Sequence, residues 1–159
     1  MEYKELIDAF AAKCGLEQPD AKDGVVVFEI DGMSVGFIHD PAEAAVMVVV
    51  EIGEQNPDAD EACFSVLLKA NYLFAGTGGA TLCRNPETGA FAIMRAWPLA
   101  SLDGDAFATA VNDILTVAEK WKAVVEGLDE AQRALDDQAE EERAAGARGP
   151  GDAGGFMRV

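Results

Sequence analysis

The stretch from Ala62 to Leu82 constrains this chain more than any other. Leu67-Leu68-Lys69-Ala70-Asn71-Tyr72-Leu73-Phe74-Ala75 reads as the second half of a helix. Gly76-Thr77-Gly78-Gly79 stops it, and Ala80-Thr81-Leu82 begins a strand. On a helix, Glu61, Ser65 and Lys69 make one narrow polar stripe. Cys63, Phe64, Leu67, Leu68 and Phe74 fall on one side of that stripe, and Ala62, Val66, Ala70 and Leu73 on the other. A surface helix of a globular protein buries a single stripe. This one is apolar around most of its circumference and needs two surfaces to cover it. Its own sheet supplies one, and a second subunit is the natural source of the other. The expectation is an oligomeric binding protein rather than an enzyme.

The rest of the chain reads as an α+β fold in the order α-β-β-β-α-β-β-α. A first helix over Glu2–Cys14 carries the stripe Tyr3, Leu6, Ile7, Phe10 and Cys14, with Glu5, Asp8 and Ala12 away from it. Gly15 ends it, and Pro19-Asp20 with Asp23-Gly24 makes the connector. Val25–Ile30 and Met33–His39 are strands joined at Asp31-Gly32, a strong hairpin signal. Asp40-Pro41 turns the chain into a third strand, Ala44–Ile52. Alternation sets Val26, Phe28 and Ile30 against Val25, Val27 and Glu29, and Val46, Val48, Val50 and Ile52 against Ala45, Met47, Val49 and Glu51. Both faces are largely apolar, so the sheet is covered on both sides or presents apolar area to a partner.

Asn56 can cap the second helix, with Pro57 at its first position and Asp58, Asp60 and Glu61 against the positive end of its dipole. Gly76 is expected as a left-handed cap at its end. Thr81–Asn85 and Ala90–Trp97 read as strands around the turn Pro86-Glu87-Thr88-Gly89. Ser101 or Asp103 caps a final helix from about Asp105, with the core stripe Phe107, Val111, Ile114, Ala118, Trp121, Val125 and Leu128. These elements define a domain over residues 1–128. Residues 129–145 are an acidic helical extension, and 146–159, ending in Phe156-Met157-Arg158-Val159, have the composition of a flexible Gly-rich tail.

Charge and motifs narrow the function classes. A formal charge of −17, from 29 acidic and 12 basic residues, argues against nucleic acid and against anionic membranes. Met1-Glu2-Tyr3-Lys4-Glu5 is not the start of a signal peptide, and the apolar run Ala44–Val50 is too short to span a bilayer, so a cytoplasmic protein with no membrane insertion is expected. Cys14, Cys63 and Cys83 are isolated and His39 is the single histidine, which is not a metal-ligand set. No cofactor is implied. Gly76-Thr77-Gly78-Gly79 follows a helix and precedes a strand, the reverse of a phosphate cradle, where a helix N-terminus faces the anion. His39-Asp40 has no nucleophile with a signature context and reads as a surface histidine at a turn, and Trp97 and Trp121 read as core or interface aromatics. No catalytic constellation survives. The alternatives are a small-ligand or nucleotide-binding enzyme using the Gly76–Gly79 turn, and a general adaptor with the same fold.

Residues 2–128, most tightly Leu67 to Trp121, resemble the class I type III secretion chaperones of the Tir chaperone (CesT-like) family. The resemblance is carried by Leu68-Lys69-Ala70-Asn71-Tyr72-Leu73, Gly76-Thr77-Gly78-Gly79-Ala80-Thr81-Leu82, Pro86-Glu87-Thr88-Gly89, Pro98-Leu99, Leu102-Asp103, Phe107 and Ala118-Glu119-Lys120-Trp121. It implies a twisted antiparallel sheet packed by helices, in a non-enzymatic homodimer. It further implies that the dimer binds the N-terminal segment of a secreted effector in extended form and keeps it secretion-competent. Such binding combines β-augmentation with apolar grooves, over an interface of ~1,600 Å² or more. By position, Ala62, Val66, Ala70, Leu73 and Leu82 would form the dimer contact. Leu6, Ile7, Phe10, Val25, Val27, Met47 and Val49 would line the effector groove. The ATPase of the secretion apparatus is a further partner that the resemblance raises.

Overall fold

The computed structural model describes residues 2–17, 23–54 and 60–147. Helix α1 (Tyr3–Cys14) is followed by strands β1 (Val25–Ile30), β2 (Met33–Asp40) and β3 (Ala45–Gly53). Helix α2 (Asp60–Asn71), strands β4 (Thr81–Arg84) and β5 (Phe91–Pro98), and helix α3 (Gly104–Ala147) complete the order. Short 3-10 turns, Tyr72–Phe74 and Leu99–Ser101, follow α2 and β5. The α+β order read from the sequence is the observed one. The strands form one antiparallel sheet in the order β1-β2-β3-β5-β4, with β1 and β4 at its edges.

Local chemistry explains the element ends. Glu2 and Glu5 form a capping box at the start of α1, and Gly15, at φ 66°, closes it in the left-handed region. Asp31 (φ 51°) and Gly32 (φ 72°) both take positive φ, as a two-residue hairpin turn matched to strand twist requires. Asp40 Oδ1 accepts the backbone N–H groups of Ala42 and Glu43 at 3.1 and 3.2 Å and so turns β2 into β3. Of the two cap candidates for α3, Asp103 serves: its Oδ1 accepts from the backbone N–H groups of Asp105 and Ala106 at 3.0 and 2.8 Å. Ser101 instead donates its hydroxyl to the Pro98 carbonyl. The expected connector at Pro19-Asp20, the Asn56-Pro57 cap and the tail from residue 148 lie outside the described residues.

All three helices lie against one face of the sheet. Val26, Phe28, Val35, Phe37, Val46, Val48, Val50, Ile52, Phe91 and Ile93 point into that side, where Leu6, Ile7 and Phe10 of α1 and Phe107, Val111 and Ile114 of α3 meet them. Phe10, Phe28, Phe37 and Phe107 interlock with ring centroids 5.3–6.2 Å apart, mostly edge to face. Each such buried ring contributes about 1.5–3 kcal/mol of burial. Helix α2 joins this layer through Phe64, which meets Phe91 edge-on at 5.9 Å, and through buried Cys63 and Leu67.

The stripe predicted for α3 is buried at Phe107, Val111, Ile114, Ala118 and Val125 and half-buried at Trp121 and Leu128. Beyond Leu128 the helix continues to Ala147. The α1 stripe stops one residue short of expectation. Cys14 is exposed because the helix ends there and Gly15 turns the chain away.

Candidate functional site

With every helix on one side, the opposite face of the sheet is bare among the described residues. Two rows cross it. Val25, Ile38, Met47 and Ala96 are register partners in one, and Val27, Gly36, Val49, Met94 and Thr81 in the next. Val25 is 38% and Val27 57% exposed, while Ile38, Met47, Val49 and Met94 are half-buried by their neighbours. Gly36 has no side chain between Val27 and Val49, and a Cβ there would meet nothing closer than 3.8 Å. The result is a shallow hollow walled by valine and methionine. Contiguous apolar surface of this kind marks interaction sites in water-exposed proteins.

The seven expected groove residues do not come together. Val25, Val27, Met47 and Val49 share the open face. Leu6, Ile7 and Phe10 lie on the other side of the sheet at 0, 3 and 3% exposure. The correction has a simple cause: α1 has a single apolar stripe, and the core uses all of it.

A second apolar surface lies where α2 ends. The sequence suggested a helix continuing to a left-handed cap at Gly76. The helix stops at Asn71 instead, and Leu73 and Phe74 both take φ 54°. Bulky side chains rarely adopt that region, at a cost of order 1–3 kcal/mol each. Gly76 does not have positive φ, whereas Gly78 (φ 61°) and Gly79 (φ 89°) do. The break throws Leu73 outward, 78% exposed, beside Tyr72 at 73%, Leu68 at 69% and Phe74 at 50%. Among the residues expected at a dimer contact, Leu73 is therefore on the surface, and Val66 and Ala70 are half-buried. The side chain of Ala62 lies outside the described residues. Leu82 is 5% exposed, pointing under α2, and is corrected to a core residue. Tyr72 and Phe74 were missed because continuing the helical phase past Asn71 assigns them the wrong faces, and Leu68, within α2, was grouped with the core-facing Cys63, Phe64 and Leu67. The signal for the break, a bulky run without glycine, is not a recognised helix stop.

The Gly76–Gly79 turn is a packing joint. The Thr77 and Ala80 N–H groups are taken by the Phe74 and Thr77 carbonyls. The Trp121 indole donates to the Gly76 carbonyl at 3.0 Å, and Arg95 donates to the Gly78 carbonyl at 2.8 Å. A Cβ on Gly76 would sit 3.3 Å from the Trp121 ring, and one on Gly79 3.3 Å from the Arg95 guanidinium. Anion-binding N–H groups are what a phosphate cradle needs, and those of Thr77 in this turn and Ala80 just after it are already consumed. Beside it, a cleft of about 670 Å³ runs between α3 and β5, lined by Thr77, Arg95, Trp97, Asp113 and Val117. Arg95 stacks on Trp97 at 5.0 Å, and buried Thr77 Oγ1 has no hydrogen-bond partner.

His39 is not an isolated surface residue. It is half-buried and stacks on Tyr3 with ring centroids 4.7 Å apart. The Tyr3 hydroxyl donates to the Phe37 carbonyl at 2.8 Å, and burial pushes its pKa up to about 12. Among the described residues no group of three or more His, Cys, Asp or Glu is placed to hold a metal, and no helix is long and apolar enough to cross a membrane.

Comparison with solved structures finds the same architecture. A chain of the ExsC–ExsE complex superposes with a TM-score of 0.67 at 17% identity, over 77% of this chain and 92% of that one. A chain of the heterodimeric ExoU–SpcU complex from the type III secretion system of Pseudomonas aeruginosa gives 0.58 at 20% identity, over 77% and 96%. A chain of the HopA1–SchA chaperone–effector complex also gives 0.58, at 15% identity, over 77% and 91%. At these identities the likeness is one of fold. No curated protein sequence matches. The profile of the Tir chaperone protein (CesT) family matches residues 5–122, through α1, the whole sheet and most of the buried part of α3, and the chain belongs to that family.

Proposed function

We propose that this protein is a non-enzymatic chaperone of type III secretion. It acts as a homodimer and holds the N-terminal segment of a secreted effector in extended form across the open face of its sheet. The observation that carries the reading is the coincidence, on β1, of an apolar face with a sheet edge. Val25 and Val27 present side chains to the open face from a strand that has no neighbour on its outer side among the described residues. A peptide laid there gains main-chain hydrogen bonds and apolar contact together. Family membership and the likeness in fold to chains of chaperone–effector complexes support the same assignment. The outward corner Leu68, Tyr72, Leu73 and Phe74 supplies the homodimer contact, which hides apolar area that a lone subunit leaves in water.

The test combines mass and capture. Light scattering should give twice 16.8 kDa. Affinity purification from the native host should bring down a secreted protein whose N-terminal segment is protected from protease. Val27→Asp should release that protein and leave the dimer and its melting temperature unchanged. A strictly monomeric chain, or a client held equally well by Val27→Asp, would overturn the proposal.

A further inference from the structure

The two edges of the sheet, β1 and β4, are chemically unequal. In an antiparallel pair, residues alternate between those whose N–H and C=O both face the partner strand and those whose groups both face away. On β1 the phase is set by the bond from the His39 N–H to the Gly24 carbonyl, 2.9 Å. With Val25 opposite Ile38 and Val26 opposite Phe37, the main-chain groups of Val26 and Phe28 turn to β2 and those of Val25, Val27 and Glu29 turn outward. On β4 the bond from the Asn85 N–H to the Ala90 carbonyl, 2.8 Å, sets the phase. With Leu82 opposite Ile93 and Cys83 opposite Ala92, it is Leu82 and Arg84 that turn outward.

The Leu82 groups are already taken. Asn71 Nδ2 donates to the Leu82 carbonyl at 2.9 Å, and the Leu82 N–H donates to Asn71 Oδ1 at 2.9 Å. A carboxamide carries a donor and an acceptor side by side, as a peptide unit of a neighbouring strand does. Asn71 is the last residue of α2, and the backbone break at Leu73 and Phe74 lets the helix stop level with Leu82.

We propose that Asn71 is a surrogate strand that closes the β4 edge, so that an extended segment adds to this sheet at β1 alone. The inference rests on the reading above in taking the partner to be an extended peptide. It deepens that reading by fixing one strand-acceptor edge per subunit and naming the residue that forbids the other. An open strand edge is also a template for pairing between copies of one chain, and the same two bonds suppress that at β4.

The experiment uses the full-length chain and its Asn71→Ala variant. Each is incubated with a short synthetic peptide of alternating valine and threonine bearing a central photo-crosslinker, and cross-linked positions are mapped by mass spectrometry. Amide exchange is read in parallel. Wild type should cross-link at residues 25–29 and not at 81–84. Asn71→Ala should gain cross-links at 81–84, and its Leu82 amide should exchange about tenfold faster, with Cys83, bonded to β5, unchanged. Should Asn71→Ala fail to fold, Asn71→Asp keeps the shape and the acceptor, and it replaces the donor with a charged oxygen that repels the Leu82 carbonyl. It should retain Leu82 protection and still gain labelling on β4. Equal β4 labelling in wild type and variant overturns the proposal, as does a Leu82 amide indifferent to Asn71→Ala. Labelling gained on β4 with none on β1 in either protein would uphold the Asn71 closure and sink the β1 peptide site instead.

Discussion

Two single residues show how burial and hydrogen bonding decide local energetics. Thr77 is 1% exposed and its Oγ1 has no partner, so its hydroxyl has lost water without compensation. Replacing it with an isosteric methyl removes that penalty. Thr77→Val should therefore raise stability by about 1 kcal/mol, read as a higher urea midpoint at unchanged slope. Tyr3 acts in the opposite sense, because its buried hydroxyl has a partner and resists ionisation. Its pKa lies near 12 in the folded chain against an ordinary value near 10. The unfolded chain therefore loses this proton first. The stability tied to it is complete below pH 10 and is lost as pH rises toward 12. Denaturation followed from pH 9 to 12 should show this fall in the wild type and a smaller one in Tyr3→Phe. Neither effect is legible in the sequence, since Tyr3 reads only as a stripe position and Thr77 only as a turn residue.

At the scale of elements, α2 separates two kinds of apolar residue that look alike in sequence. Leu67 is 5% exposed and Leu73 is 78% exposed. Leu67→Glu buries an unpaired charge and should cost several kcal/mol, enough to unfold a marginal domain. Leu73→Glu should leave the fold intact by circular dichroism and halve the mass seen by light scattering. Should both variants behave alike, the corner is not the dimer contact. The sequence reading rightly found too much apolar surface for one subunit's sheet to cover. It put Leu73 on that surface but not Tyr72 or Phe74, because it extended the helix through Tyr72–Phe74, where the chain turns left-handed. The strands were easier. Their boundaries follow from Asp31-Gly32, Asp40 and Pro86–Gly89, whose side chains and φ values direct the chain regardless of what packs on it.

For the molecule as a whole, the sheet is one-sided and, among the described residues, the core ends before α3 does. Val125 is the last fully buried residue described, while α3 runs on to Ala147, about 66 Å in all at 1.5 Å per residue. The described side chains beyond Leu128 are all exposed, so truncation after Leu128 should leave the thermal midpoint within a degree or two of the full chain. A large drop would show that the extension packs on something. The charge of −17 is carried by a molecule with apolar area on the open sheet face and on the α2 corner. Self-repulsion keeps such surfaces apart. Raising salt should accordingly promote association of the client-free protein.

Element order, the Asp31-Gly32 hairpin and the alternation that sets Val25 and Val27, and Met47 and Val49, apart from their strand neighbours follow from periodicity and turn chemistry, which act over a few residues and are written directly in the chain. The groove role of those four came instead from the family resemblance. The side of the sheet that receives the helices was decided only in three dimensions. Both strand faces are apolar, so alternation sorts residues into two sets without saying which set is buried. Packing α1, α2 and α3 on the Phe28–Phe37 side drew Leu6, Ile7 and Phe10 into the core and left the valine face open. The closure of Leu82 by Asn71 is likewise tertiary, because it depends on a helix end and a strand edge eleven residues apart meeting at hydrogen-bond distance.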